Sequence, residues 1–360
     1  MNDDTVTGFS FRGLQTPVTF GRGSVGRIGE ILARVGIERV VVLTTSRGAG
    51  VFSNVQRSVD LHGVVGVFDG SREHVPVEAV AEAWSIAERS GADGAIALGG
   101  GSSVGLAKAL ARRHNLPYVA VPTTLAGSEM TSIWGETDGQ RKATGRDAEV
   151  RAREVVYDPD LVDDLPVSLA AQSAVNALAH VAESAYAPDS SPVVRAVARE
   201  AAHSLAAGLR SLGEANVRAS DPLLVGAMLA GMCLDATTMG LHHAVCHALG
   251  GSLSLPHAAT HSIVLPHSLA LTCTITPLGV ELLGQAFDTR MPGQRLQSIL
   301  AGVGAPISLE SLGAARDDVV GVAPDVLRRM SEHPGAASNF SQAQVEGLLF
   351  DAWKGVRVDA

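Results

Sequence analysis

The sequence predicts an α/β domain built on a parallel sheet, followed by an all-helical domain. Three observations carry that expectation. Up to about residue 155, short β-branched runs alternate with helical patterns, the order expected of a parallel sheet with helices on both faces. From Pro166 onward the chain is rich in Ala and Leu with helical periodicity and few strand candidates. Between one strand and the next helix lies Gly99-Gly100-Gly101, where the backbone can approach a ligand closely. The 360 residues suit two domains, at roughly 150 residues each. With 46% hydrophobic and 18% charged residues, the chain is too apolar for disorder and can bury a large core.

Taken in order, Val40-Val41-Val42-Leu43 is a buried-strand run closed by Thr44-Thr45-Ser46-Arg47-Gly48. Val64 to Phe68 is a second strand, ending at Asp69-Gly70. A helix follows from Val77 to about Ser90, with Val80, Ala83 and Ile86 at helical spacing. Gly94 to Leu98 is the third strand, followed by the glycines and an Ala/Leu-rich helix to about Arg113. Tyr118 to Val121 is the fourth, ending at Pro122. Asp158-Pro159-Asp160 and Leu165-Pro166 are turn and helix-start signals. They place a boundary near residue 155: residues 1–155 form a Rossmann-like nucleotide-binding domain, and residues 156–360 form a helical catalytic domain. The cleft between them, at the carboxyl ends of the strands, is the expected ligand site.

Composition narrows the function. A net charge of −9 with no Lys/Arg block argues against nucleic acid or an anionic membrane as a partner. No apolar run approaches the ~18–20 residues needed to cross a bilayer. The first residues, Met1-Asn2-Asp3-Asp4, are acidic where a secretory signal would be basic and then apolar. Cys233, Cys246 and Cys273 lack CxxC spacing and cannot all pair. A cytoplasmic enzyme is the expectation.

The glycine turn Leu98-Gly99-Gly100-Gly101-Ser102-Ser103 opens a helix whose first N–H groups can meet a phosphate. The glycines alone fit a tight strand-to-helix turn equally well. The turn is neither a Walker loop, since no Lys-Ser/Thr closes it, nor GxGxxG, since position 104 is Val. Pro122-Thr123-Thr124-Leu125-Ala126-Gly127-Ser128 ends the next strand in hydroxyls that can bond ribose or phosphate, or simply stabilise their own loop. Both loops should emerge at one sheet edge, which favours a dinucleotide site. In the second domain, six of the twelve histidines fall within 26 residues: His242, His243, His247, His257, His261 and His267. His243 and His247 share a helical face at i, i+4, as do Asn176 and His180. Such crowding points to a functional pocket rather than to isolated core histidines.

In these motifs the chain resembles the iron-containing alcohol dehydrogenase superfamily. Gly99-Gly100-Gly101-Ser102, Pro122-Thr123-Thr124, His180 and Gly240-x-x-His243-x3-His247-x9-His257 carry the likeness, which runs from Phe20-Gly21 to Ala352-Trp353. Within it the chain looks most like the maleylacetate reductase branch, through residues 99–108, residues 122–131, Gly135-Glu136-Thr137 and Asn176-Ala177-Leu178-Ala179-His180. The resemblance implies a dehydroquinate synthase-like fold, a homodimer, and NADH or NADPH as cofactor. It implies reduction of maleylacetate, a small dicarboxylate, to 3-oxoadipate in the degradation of aromatic compounds.

Metal-dependent relatives carry Asp-x3-His where this chain has Asn176 and His180. An amide is a poor ligand for Fe²⁺ or Zn²⁺, although three imidazoles can still hold zinc. The expectation is that no metal is obligatory. Gly99, Gly100, Gly101, Ser102, Thr123, Thr124, Ser128 and Thr45 are the candidate cofactor contacts. Thr45 stands where NAD-selective relatives often place an Asp that would repel a 2′-phosphate, so both cofactors are expected to serve. His243 and His257 would polarise the substrate ketone, His180 would be held by Asn176, and His247 would donate the proton. Arg141, Lys142 and Arg146 would meet the substrate carboxylates, unless they are an ordinary solvated charge run. Two rival readings stand beside this one: a metal-dependent alcohol or polyol dehydrogenase of the same fold, and a metallohydrolase or metal-binding protein with no nicotinamide site.

Overall fold

The computed structural model describes residues 16–58, 63–139, 141–212, 219–332 and 340–359, with residues 9, 11 and 13. The first domain runs β1 (Val18–Phe20), α1 (Ile28–Arg34), β2 (Val40–Leu43), α2 (Gly48–Ser58), β3 (Val64–Phe68), α3 (Val77–Ser90), β4 (Gly94–Gly99), α4 (Gly101–His114) and β5 (Tyr118–Pro122). A hairpin of β6 (Ile133–Asp138) and β7 (Arg141–Arg146) follows, and then β8 (Glu154–Tyr157). The four strands expected from β-branched runs are all present.

The sheet is parallel throughout, in the order β1-β8-β5-β4-β2-β3. Every residue of β2, β4, β5 and β8 is buried. Strands covered on both faces read as unbroken apolar runs, which is why β2 and β5 were legible. β8 pairs with both β1 and β5, so the sheet continues to Tyr157, past the boundary at residue 155. The winding reverses between β2 and β4, and the crevice at the carboxyl ends of strands at such a point is where open α/β sheets take ligands. Thr45, the glycine turn and Thr123-Thr124 all leave the sheet at that edge.

The second domain comprises α5 (Val167–Tyr186), α6 (Pro192–Ser211), α7 (Ser220–Ala236), α8 (Leu241–Leu253), α9 (His257–Cys273), α10 (Leu278–Phe287), α11 (Pro292–Gly302), α12 (Arg316–Val320), α13 (Ala323–Ser331) and α14 (Gln342–Lys354). α5 is buried on nearly every side, as a central helix must be, and packs on α6, α7, α9 and α10. One core cluster takes in Leu110 and Tyr118 from the sheet domain with Leu178, Leu205 and Leu265 from the helices, so the domains share a core. At their junction the backbones touch. A Cβ on Gly231 of α7 would lie 2.2 Å from the Gly127 carbonyl oxygen, and Gly127 itself has φ +70°. Only glycines allow that approach. Among the described residues no single helix is long and apolar enough to cross a membrane, and the three cysteines are unpaired.

Candidate active site

The first turn of α4 has no side-chain cap, so its leading N–H groups are available to an anion. A Cβ on Gly101 would meet nothing within 4 Å, whereas one on Gly100 would lie 2.7 Å from Thr124 Oγ1. The glycine turn and the threonine turn therefore touch, and open space remains over the helix end. Ser128 Oγ is buried there without a partner. Behind the two turns lies Lys108, fully buried, whose Nζ donates to Ser128 O (2.6 Å), Thr131 Oγ1 (2.8 Å) and Ile133 O (2.7 Å). Thr131 Oγ1 gives its own proton to Ser128 O, so it accepts from the lysine. Burial pulls the lysine pKa down to about 7, opposed by Glu129 and Asp235. Three acceptors nevertheless require three N–H donors, which only the ammonium supplies. Lys108 thus locks the loop that carries Ser128. Thr45, at the end of β2, accepts a hydrogen bond from Gly48 N–H (3.1 Å) through its hydroxyl and so caps the start of α2. These residues form a cradle that suits a dinucleotide pyrophosphate.

Across the junction, Glu183 of α5 sits against the N-terminus of α8. Its carboxylate accepts from Gly240 N–H (2.9 Å), from His242 N–H (2.7 Å) and from His243 Nδ1 (2.6 Å). A carboxylate surrounded by backbone donors at a helix N-terminus is an acceptor, so His243 Nδ1 carries the proton. Its Nε2 is buried and unpartnered. His180 stacks on His243 with ring centroids 5.0 Å apart, and Asn176 Oδ1 and His180 Nδ1 are likewise buried without partners. Asn176 does not hold His180, contrary to the expectation. No hydrogen bond joins them, and stacking on His243 orients the ring instead. His247 stands edge-on to His243 at 6.0 Å, while His257 packs on His261 at 4.2 Å. Both are solvent-exposed. Surrounding protein mass lowers their pKa values first, followed by His243 and Lys142, so they are neutral near pH 7. His180 is held well below the usual range by burial and then by the neighbouring imidazoles.

Glu183 escaped the sequence reading, and His261, counted in the histidine crowd, was given no role of its own there. Glu183 falls at i+7 from Asn176 and i+3 from His180, on one face of α5, a spacing that could have pointed to it. His261 lies 5.2 Å from His243 between ring centroids, and its Nε2 is buried and unpartnered. Its Nδ1 lies 3.0 Å from His242 Nε2, and His242 Nδ1 lies 3.0 Å from Ser268 Oγ. Ser268 gives its proton to Leu265 O, so His242 donates to Ser268 and His261 donates to His242. The basic trio separates. Arg146 donates to the carbonyls of Leu234, Asp235 and Thr237 at the end of α7, Arg141 lies exposed opposite Asp138, and Lys142 lies near His247 and His257.

The residues do not fit the iron site that the resemblance implies. The carboxylate position is the amide of Asn176. His180, His243 and His257 do not form a compact ligand set: among the described residues, the side chains whose ligand atoms all lie within 4.8 Å of one another are His242, Cys246 and His261. There, two of the three atoms already hydrogen-bond each other.

Residues 15–159 match the iron-containing alcohol dehydrogenase family, and residues 170–353 match its C-terminal family. A maleylacetate reductase of Pseudomonas knackmussii is 41% identical over 343 residues, covering 94% of this chain and 96% of the relative. The crystal structure of maleylacetate reductase from Agrobacterium tumefaciens superposes with a TM-score of 0.90 at 34% identity, covering 98% of this chain and 100% of that one. An iron-containing alcohol dehydrogenase from Corynebacterium glutamicum has a TM-score of 0.90 at 32% identity, with 98% of each chain covered. These matches leave no place for the metallohydrolase reading. The chain belongs to the iron-containing alcohol dehydrogenase family and, within it, sits with the maleylacetate reductases.

Proposed function

We propose that the chain reduces the carbon–carbon double bond of maleylacetate to give 3-oxoadipate, using NADH or NADPH. The observation that carries the reading is His243. One ring nitrogen is bound to a buried carboxylate, and the other is buried and unpartnered among neighbouring imidazoles. Gly99, Gly100, Gly101, Ser102, Thr123, Thr124 and Ser128 would hold the cofactor, with Thr45 near its adenosine ribose. When bound, the nicotinamide supplies a hydride. Addition at the alkene carbon β to the ketone leaves an enolate, which needs hydrogen-bond donors at its oxygen and a proton at its α-carbon.

Glu183 fixes the tautomer and orientation of His243, as an acid–base histidine requires. Nε2 first takes up a proton from solvent, giving an imidazolium that the Glu183 carboxylate balances, and His243 then passes that Nε2 proton to the α-carbon and returns to its Nδ1–H form. This reading moves that role from His247 to His243, the ring that the Glu183 carboxylate orients. His247 and His257 donate N–H groups to the enolate oxygen, and His180 braces the His243 ring. None of these steps calls on a metal, and we assign the activity to the metal-free chain. The same reading carries a cytoplasmic location and a homodimer, the latter tested by sedimentation of the purified chain.

The deciding assay follows NADH oxidation with and without maleylacetate and identifies the product by mass spectrometry. With deuterium at the transferable position of NADH, the label should appear on the carbon β to the ketone. Label on the carbinol carbon of an alcohol product would instead establish the alcohol or polyol dehydrogenase reading.

A further inference from the structure

We propose that Asp235, at the end of α7, is a positioning residue that sets the cofactor loop in register with the helix that carries His243. This role rests on the hydride-transfer reading above and deepens it, since hydride donor and proton donor must meet one substrate in one geometry. The loop from Gly127 to Ser132 carries Ser128 and is tied down along its whole length. Gly127 touches Gly231 of α7, and Lys108 binds Ser128 O and Thr131 Oγ1 from the sheet side. The Tyr157 hydroxyl donates to Glu129 Oε1 (2.6 Å). At the end of the loop Ser132 donates twice to Asp235 Oδ1, from its N–H (2.7 Å) and from its hydroxyl (2.7 Å).

Asp235 carries the link onward into the helical domain. Its side chain is only 3% exposed, and Arg151 Nη2 meets Oδ2 at 2.6 Å. Arg146 donates to the carbonyls of Asp235 (2.6 Å), Leu234 (3.2 Å) and Thr237 (3.0 Å), which closes the carboxyl end of α7. Residues 237–240 then lead straight into α8. Thr238 donates to Asp189 Oδ2 from its N–H (3.0 Å) and its hydroxyl (2.9 Å), so this connection is fixed as well. Gly240 N–H donates to Glu183 Oε2, the same oxygen that receives His243 Nδ1. From Ser132 to His243 the path is therefore Asp235, the backbone of residues 235–240, and Glu183. Apolar surfaces can slide past one another, whereas a satisfied buried polar network fixes direction and distance. Asp235 is the point where the network passes from the cofactor loop to the histidine helix.

The test follows a single turnover of bound NADH on mixing with saturating maleylacetate, for Asp235→Ala, Asp235→Asn and Ser132→Ala. The rate constant of NADH loss reports alignment, and its amplitude reports the fraction of chains that are folded and loaded. A misplacement of about 1 Å costs on the order of 10²-fold, so Asp235→Ala should lower the rate constant by roughly 10–100-fold. Asp235→Asn keeps an acceptor for Ser132 and should recover part of that loss. Ser132→Ala removes only the hydroxyl bond, and a fall of about 3–10-fold is expected, the range of one hydrogen bond to a charged group. NADH Kd should stay within about threefold in all three, because no group that touches the cofactor has been removed. Rate constants within about twofold of the unmodified value, with smaller amplitudes, would make Asp235 a fastener of the fold and overturn the role. So would a loss confined to NADH Kd. Ser132→Ala removes no buried charge, so it decides the matter even if both Asp235 variants fail to fold. An unmodified chain with no NADH loss on mixing with maleylacetate would overturn the reaction itself, and with it this role.

Discussion

Nδ1 of His243 stands 2.6 Å from Oε2 of Glu183, and both side chains are buried. The same carboxylate also receives the N–H groups of Gly240 and His242, so one residue of α5 both seats the start of α8 and aims the ring. Glu183→Gln preserves shape and an acceptor oxygen but presents an amide to a ring nitrogen that needs a proton acceptor. The expected result is a fall in kcat of about 10–100-fold, the usual cost of removing a partner that orients a functional histidine. KM for NADH should be unchanged. His243→Ala should cost more, on the order of 10²–10³ in rate. Equal kcat in Glu183→Gln and the unmodified chain would remove His243 from proton transfer.

The glycine turn offers a clean probe of cofactor binding. Gly100 is a poor choice, because a side chain there would collide with Thr124. Gly101 faces open space at the first position of α4, where a β-carbon disturbs nothing in the protein. Gly101→Val should keep its melting temperature while NADH binding, followed by fluorescence, weakens at least about tenfold, a loss of roughly 1.4 kcal/mol. Normal binding would mean that the pyrophosphate lies elsewhere.

What the sequence could tell depended on how local each signal was. β2 and β5 were legible because burial on both faces makes a strand an unbroken apolar run. The β6–β7 hairpin was not, because β7, Arg141–Arg146, carries mostly exposed polar side chains with no alternation toward a core. The histidine crowd around α8 was visible by count alone. Glu183 was hidden, since its role appears only when α5 meets the start of α8, some 60 residues further along. Spacing sets Asn176 and His180 one turn apart on α5, but helical adjacency does not make a hydrogen bond, and none joins them.

Thr45 addresses cofactor choice. Its hydroxyl caps α2 by accepting from Gly48 N–H, and a carboxylate fills that structural role equally well. Thr45→Asp should therefore fold normally while placing a negative charge beside the position read as the adenosine ribose. The ratio of kcat/KM with NADPH to that with NADH should fall by about tenfold or more, with NADH almost unaffected. An unchanged ratio would separate Thr45 from the ribose.

The buried imidazoles predict acid sensitivity. His180, His242 and His261 are held well below the ordinary histidine pKa of 6.5, by burial first and by neighbouring imidazoles second. In the unfolded chain each takes up a proton near pH 6.5, whereas in the folded chain it does not. Below that pH the unfolded state binds more protons, so stability falls as pH falls. Each such group contributes about 1.4 kcal/mol per pH unit, so the three together give on the order of 4 kcal/mol per unit. Urea midpoints should be level above about pH 7 and drop steeply from pH 6.5 to 5. A flat profile across that window would mean that these rings are charged in the folded state.

Asn176 decides the question of metal. Its Oδ1 is buried without a partner next to His180. If the activity belongs to the metal-free chain, exhaustive chelation should leave turnover with maleylacetate intact, and added Zn²⁺ or Fe²⁺ should not shift the melting temperature. Asn176→Asp should behave differently on both counts. A carboxylate placed there has no cation to pair with, and an uncompensated buried charge costs about 3–5 kcal/mol, so the variant should melt lower than the unmodified chain. Zn²⁺ should then restore much of that loss by linking the new carboxylate to the imidazoles beside it, a gain that grows with metal concentration. The thermal shift is read without any turnover, so it tests the ligand chemistry of position 176 independently of the reaction. If chelation abolishes the unmodified chain's activity and stoichiometric metal restores it, His180, His243 and His257 are ligands after all. The acid–base role assigned to His243 would then have to be given up.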